Sequence, residues 1–153
     1  MARINVPDGE GGDRTMVWTL RPEMAGMVDS MISTAYHRSI IPHEEREAAR
    51  MRIAQLNACD ACATFRAPSV VEAGVDENTY AHVAEWRTWP GYTERQRLAI
   101  EYAERFTTDH RAIDDEFVGR MRDHFSDEEV LDLTLCCAVF VGLGRTLEVL
   151  GIY

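Results

Sequence analysis

The last quarter of the chain limits the fold most. "SDEEVLDLTLCCAVFVGLGRTLEVLG" (Ser126 to Gly151) carries no charged side chain between Asp132 and Arg145. Ser126 with Glu129 has the spacing of a capping box, and glycine at 151 is a residue type that ends helices. At about 1.5 Å per residue, a helix over this stretch spans roughly 35 Å. Leu131, Leu135, Ala138, Val139 and Gly142 lie in a segment that is apolar nearly all round. Such a helix is buried on most sides, either centrally or at a subunit interface. Runs of alternating β-branched residues bounded by turns, the mark of strands, are absent from the sequence. The fold class is therefore all-α. No segment approaches the roughly 18 apolar residues of a membrane span.

The rest reads as helix after helix, about six to eight in all, in one domain over residues 1–153. Residues 1–15, rich in Gly and Asp, are expected to be mobile or draped over a neighbour. Pro22 opens a helix in which Met24, Met27, Val28, Met31, Ile32 and Ala35 recur at helical spacing. Pro42 opens the next, with Glu44 and Glu45 in its first turn, and this helix runs to about Asn57. A helical cysteine segment follows, disturbed near Pro68 and ended by Gly74. Asp76 is expected to cap a helix reaching Trp86, and Thr88 to Tyr92 to form a turn. Thr93 and Gln96 form a capping box for a helix to about Thr107, and Asp114 or Asp115 starts a shorter one to His124.

Composition narrows the function. The formal charge is -10, so the surface repels nucleic acid and anionic lipid. All 16 basic side chains are arginines, which excludes Schiff-base lysines and a P-loop lysine. The N-terminal residues lack the apolar core of a signal peptide, so a cytoplasmic setting with reduced thiols is expected. There a CxxC pair is more often catalytic or metal-binding than a staple.

The chain has four cysteines, and two form such a pair in "NACDACATFR" (Asn57 to Arg66). Positions i and i+3 of a helix lie about 5–6 Å apart on one face, close enough for Cys59 and Cys62 to form a disulfide. A thiol near a helix start meets free backbone N–H groups that favour its thiolate. Upstream, Glu47 heads a helix face continued by Met51, Ala54 and Ala58. Burial among apolar groups raises a carboxyl pKa toward neutrality, as a proton acceptor needs. In one straight helix Glu47 and Cys59 would stand about 18 Å apart, so the chain must bend between them, at Asn57-Ala58.

"EEREAARMRIAQLNACDACATFRA" (Glu44 to Ala67) resembles the signature of the carboxymuconolactone decarboxylase and alkylhydroperoxidase D-like superfamily: a glutamate twelve residues before a CxxC, with "AQLN" between. "AGVDE" (Ala73 to Glu77), "TERQRLAIEYAERFT" (Thr93 to Thr107) and "GRTLEVLG" (Gly144 to Gly151) extend the likeness over most of residues 18–152. The resemblance implies an all-α subunit assembled as a trimer, or as a hexamer. It implies reduction of a small hydroperoxide or disulfide by the dithiol, without cofactor. Cys62 would attack, Cys59 would resolve, and Glu47 would accept the proton. Relatives carry a histidine four residues after the second cysteine and often another between the two. Here Arg66 and Ala61 stand at those places. Arginine stays protonated and cannot relay a proton, yet it can attract a thiolate or pair with Glu47. Tyr36 resembles a frequent pocket position.

Plainer readings stand beside these. Cys59 and Cys62 can be small core residues. Glu47 can be a surface partner of Arg46 or Arg50, and Arg66 one end of a salt bridge. Cys136 and Cys137 point about 100° apart on their helix, which favours packing over a zinc site shared with the other thiols. His37 or His43 could replace the missing imidazole. Trp86 and Trp89 suit packing or an interface. A decarboxylase or lactone-converting enzyme could hold an acid at Arg66 or Arg145. A non-catalytic, redox-responsive oligomer is the third reading.

Overall fold

The computed structural model describes residues 2–152. Among them are nine α-helices and no strand: α1 (Gly12–Met16), α2 (Pro22–His37), α3 (His43–Leu56), α4 (Asp60–Thr64), α5 (Pro68–Glu72), α6 (Asn78–Ala81), α7 (Glu94–Thr108), α8 (Asp115–Arg122) and α9 (Asp127–Leu150). The count exceeds the expected six to eight because four helices have five residues or fewer. The framework is α2, α3, α7, α8 and α9.

The axis of the bundle is α3, which packs against α7 and α9. Its Ala49 and Ile53 face one apolar cluster, with Leu98, Phe117, Leu133 and Cys137. Its Ala48, Met51 and Ala54 face a second, with Val70, Val83 and Ile100. Phe140 of α9 packs against both. A helix used on two sides has little room for a solvent-facing polar stripe, so Glu45, Arg46, Glu47 and Arg50 of α3 are carried into the interior, while Glu44 and Gln55 stay exposed.

Local chemistry sets the helix starts. Both capping boxes form, Thr93 with Gln96 and Ser126 with Glu129, each with its two reciprocal bonds. Asp114 caps α8 by accepting the Phe117 N–H at 2.9 Å. Asp132 of α9 accepts from the Ser39 hydroxyl and the Ile40 and Ile41 N–H groups, which pins the turn between α2 and α3. The helix expected from Asp76 to Trp86 is broken. Asp76 accepts the Asn78 N–H at 2.8 Å, α6 lasts four residues, and a 3₁₀ turn covers Val83–Glu85. Val83 and Trp86 are buried, so tertiary packing shapes this segment.

The N-terminal residues lie against the chain's own last helix. The Arg3 backbone N–H donates to the Leu150 carbonyl at 2.7 Å, and α1 and a 3₁₀ turn at Val17–Leu20 lead into α2.

The expectation that no segment could span a membrane needs correction, and of the two ways of burying the last helix, central burial on most sides is not the one seen. By length and composition α9 is apolar enough to cross a membrane. It is also buried on one side only: Leu133 and Cys137 are sealed in the core, while Leu131, Leu135 and Val149 are exposed. Met24, Met27 and Met31 of α2 are exposed as well. A groove between α2 and α9 is lined by Met31, Ala35, Leu135 and Val139.

Candidate active site

The bend that the sequence placed at Asn57-Ala58 is a Schellman ending of α3. The Ala58 N–H donates to the Gln55 carbonyl at 3.1 Å and the Cys59 N–H to the Ala54 carbonyl at 3.0 Å. This motif needs a left-handed residue, and here that residue is alanine: Ala58 has φ of 53°. A Cβ in this region costs roughly 1–2 kcal/mol. Ala58→Gly is therefore expected to stabilise the fold by about 0.5–1 kcal/mol after the entropy that glycine adds to the unfolded chain. A chemical denaturation curve that moves to lower midpoint would contradict this account.

The joint also packs on α9. Asn57 accepts from the Arg145 Nε at 3.0 Å, and Arg145 donates on to the Thr107 carbonyl at 2.8 Å. A Cβ on Gly144 would meet the Asn57 amide nitrogen at 2.7 Å, so a larger residue there would displace the Asn57 side chain.

The chain turns at once into α4, with Cys59 as its N-cap. The Cys59 sulfur accepts the Cys62 N–H at 3.3 Å. Cys59 and Cys62 are joined in a disulfide with Cα atoms 5.2 Å apart. Cys59 is buried, whereas Cys62 is half-buried and lines a cleft of about 230 Å³. The cleft walls include Ile32, Tyr36, Phe65, Phe140 and Leu143, together with Arg50.

Behind Arg50 lies a charge cluster deep in the bundle. Arg46, Glu47 and Arg50 are 1%, 0% and 3% exposed. The Arg50 Nε donates to Glu47 Oε2 at 2.8 Å. Its other two nitrogens donate to the carbonyls of Cys62 and Phe65. Arg50 thus ties the cysteine segment to Glu47. The Tyr80 hydroxyl donates to the same carboxylate oxygen at 3.3 Å. The Arg46 Nε lies 3.8 Å from Glu47 Oε1, beyond hydrogen-bonding range, and these two atoms have no hydrogen-bond partner among the described residues. Arg46 donates to His43 Nδ1 at 2.7 Å. Arginine only donates, so that nitrogen accepts. Two guanidiniums face one carboxylate, leaving one positive charge in excess. Burial, and then the charge of Glu47, push the Tyr80 phenol up to about 12. Burial pushes the Tyr36 phenol well above its ordinary value. Both phenols remain protonated and serve as donors at neutral pH.

Several sequence-stated candidates fall elsewhere. Glu47 is buried as expected of an interior carboxylate, but it is held by Arg50 and Tyr80 and is not on the cleft wall. Arg66 pairs with Glu77 through two bonds of 3.0 Å and lies over the Tyr80 ring at 3.6 Å. It neither pairs with Glu47 nor lines the cleft. Its guanidinium holds the Glu77 carboxyl below the usual range. Tyr36 does line the cleft, in edge contact with Phe65. His37 is exposed, and His43 is turned to Arg46. Trp86 is a core residue whose indole donates to Glu104 at 3.1 Å, and Trp89 stacks on His82. Cys136 and Cys137 are buried thiols whose pKa burial raises. No group of three His, Cys, Asp or Glu side chains is placed to share a metal among the described residues.

Tyr80 was missed, and Arg50 was read only as a surface partner of Glu47, without its burial or its hold on the cysteine segment. The signal for Arg50 was its i, i+3 spacing from Glu47 on a helix otherwise used for packing. Nothing local marks Tyr80, which lies 33 residues from its partner.

Comparison with known proteins places this geometry in context. The chain is 31% identical over 97 residues to the uncharacterized protein YnjA of Escherichia coli, covering 63% of this chain and 53% of YnjA. It is 27% identical over 124 residues to the uncharacterized protein YdfG of Bacillus subtilis, covering 80% of this chain and 83% of YdfG. It thus spans about half the length of the first relative and most of the second. The crystal structure of ATU0492 from Agrobacterium tumefaciens, a protein of unknown function and candidate antioxidant defence protein AhpD, superposes with a TM-score of 0.78 at 20% identity. That match covers 100% of this chain and 97% of the other, and it fixes the fold as AhpD-like. Residues 22–105, more than half of the chain and including Glu47, Arg50 and both cysteines of the pair, match the carboxymuconolactone decarboxylase family, to which this protein belongs.

Proposed function

We propose that the protein is a thiol-dependent oxidoreductase that reduces hydroperoxides with Cys62 and Cys59. One observation carries the reading. Of the two sulfurs in the pair, Cys62 opens on the apolar cleft, on the same wall as an arginine anchored to a buried carboxylate.

The Cys62 thiolate attacks the terminal oxygen of the hydroperoxide. The O–O bond breaks, the alkoxide leaves and takes a proton, and Cys62 becomes a sulfenic acid. Cys59 then attacks the Cys62 sulfur, the S–O bond breaks, and water departs with a second proton. The disulfide that forms is reduced by a small external dithiol, which supplies two electrons and two protons. The excess positive charge behind the cleft favours the attacking thiolate without an imidazole. Tyr36, protonated and on the cleft wall, suits the donor for the leaving oxygen. Glu47 acts as a positioning residue that holds Arg50, rather than as the direct proton acceptor. In the reductive half, the Cys59 thiolate leaves onto the Cys62 N–H that its sulfur already accepts.

The test is catalytic consumption of cumene hydroperoxide with dithiothreitol as reductant, joined to iodoacetamide labelling against pH. Turnover is expected, with Cys62 labelled ahead of Cys59 and an apparent pKa below about 8.5. Loss of one thiol pair per chain with no turnover would sink the reading and favour a redox-responsive oligomer. The decarboxylase alternative loses two of its anchors, since Arg66 and Arg145 are engaged away from the cleft.

Self-association belongs to the same reading. The exposed methionines of α2 and the leucines of α9 offer an apolar surface for a trimer or hexamer. Sedimentation equilibrium giving a monomer mass at micromolar concentration would refute it.

A further inference from the structure

The geometry points to a carboxylate-bearing hydroperoxide as the substrate class of the Cys62 cleft, its acid group held by Arg14; the inference rests on the peroxidase reading above.

Three features support it together. First, the cleft wall carries two arginines, Arg14 and Arg50, and no acidic side chain. That is a local inversion in a chain with 26 acidic and 16 basic residues. Second, the two guanidiniums are in different situations. Arg50 is buried and spends its nitrogens on Glu47 and two carbonyls. Arg14 of α1 is exposed and makes no ion pair among the described residues. It also lines a smaller neighbouring cleft beside Cys59 whose wall includes Asp60 and Glu148, yet neither carboxylate reaches ion-pair distance. Its five N–H donors are free to take a carboxylate bidentately. Third, much of the remaining wall of the cleft that Arg14 and Cys62 share is hydrocarbon: Ile32, Phe65, Phe140 and Leu143. A molecule with an apolar body and one anionic end matches this wall. The single positive excess of the Arg46–Glu47–Arg50 cluster adds a field of the same sign.

The chemistry is unchanged: Cys62 takes the terminal oxygen, the O–O bond breaks, and the hydroxy acid and water leave as the disulfide forms. A dithiol again returns two electrons and two protons.

The experiment compares cumene hydroperoxide with its para-carboxy analogue, using the full chain and dithiothreitol. The expected kcat/KM ratio, acid over neutral, is about tenfold and falls toward one in Arg14→Gln and as salt is raised. Arg38→Gln, an exposed arginine off the cleft, is expected to keep the ratio. A ratio near one in the wild type, or one that Arg14→Gln leaves intact, overturns the inference. A second arm needs no turnover: calorimetric binding of 4-isopropylbenzoate against 4-isopropylbenzamide to the disulfide form. Arg14-dependent preference for the acid without peroxide turnover would support the carboxylate site and overturn the peroxidase reading. Turnover with no preference for the acid in either arm would do the reverse.

Discussion

With dithiothreitol as electron donor, Cys62→Ser is expected to consume no hydroperoxide above background. Cys59→Ser, assayed after removal of the reductant, is expected to consume one equivalent and then stop. The asymmetry follows from placement. The cleft gives a peroxide access to the Cys62 sulfur, while Cys59 is buried behind the Schellman joint. Without Cys62 no sulfur faces the cleft. Without Cys59 the sulfenic acid forms but has no resolving partner, since Cys136 and Cys137 are buried and neither lines the cleft. Mass spectrometry should find one added oxygen on Cys62 in the Cys59→Ser protein. If the two serine variants behave alike, or in the reverse order, Cys62 is not the attacking residue.

Glu47→Leu is expected to cost about 3–5 kcal/mol of stability, because it leaves buried charge unpaired. Both arginines beside it are almost fully enclosed, and the Arg50 guanidinium would retain only its carbonyl partners. The charge balance gives a sharper form of the prediction. Glu47→Leu leaves two buried cations and no anion. Arg50→Met leaves Arg46 against Glu47, with no net charge. Both changes break the same 2.8 Å bond, yet the glutamate variant should be clearly the less stable of the two. Glu47→Gln, which keeps an oxygen toward Arg50 and Tyr80, should fall between and provides a folded protein if the leucine variant does not accumulate. Urea unfolding of the three variants decides it. A Glu47→Leu loss below about 1 kcal/mol, typical of an exposed pair, would mean that the cluster is not desolvated as described.

The sequence was most legible where the physics is local. The capping boxes at Thr93 and Ser126 and the cap at Asp114 are each settled within four residues, and all three formed as read. The bend at Asn57-Ala58 was demanded by distance alone, and the structure meets it with a left-handed alanine. Legibility failed where partners are remote. Arg66 stood at a family histidine position and drew attention as the cation for the thiolate, but Glu77, eleven residues on, holds it at the surface. Arg50 was read as a surface partner of Glu47, because full burial of arginine is rare without partners. Its partners are Glu47 and two carbonyls across the joint, and only the folded chain assembles them. Arg14 was set aside with a segment expected to be mobile, whereas α1 brings it to the cleft rim.

The Schellman joint has a mechanical consequence for the proposed cycle. Cys59 is fastened by its own amide to the end of α3, while Cys62 rides on the five-residue α4, where its carbonyl accepts from Arg50. Opening and closing the sulfur bridge should therefore swing a single light arm against a fixed post. Amide exchange at residues 60–65 should quicken on reduction while residues 48–56 stay as they were, so the protein can renew itself without loosening its interior.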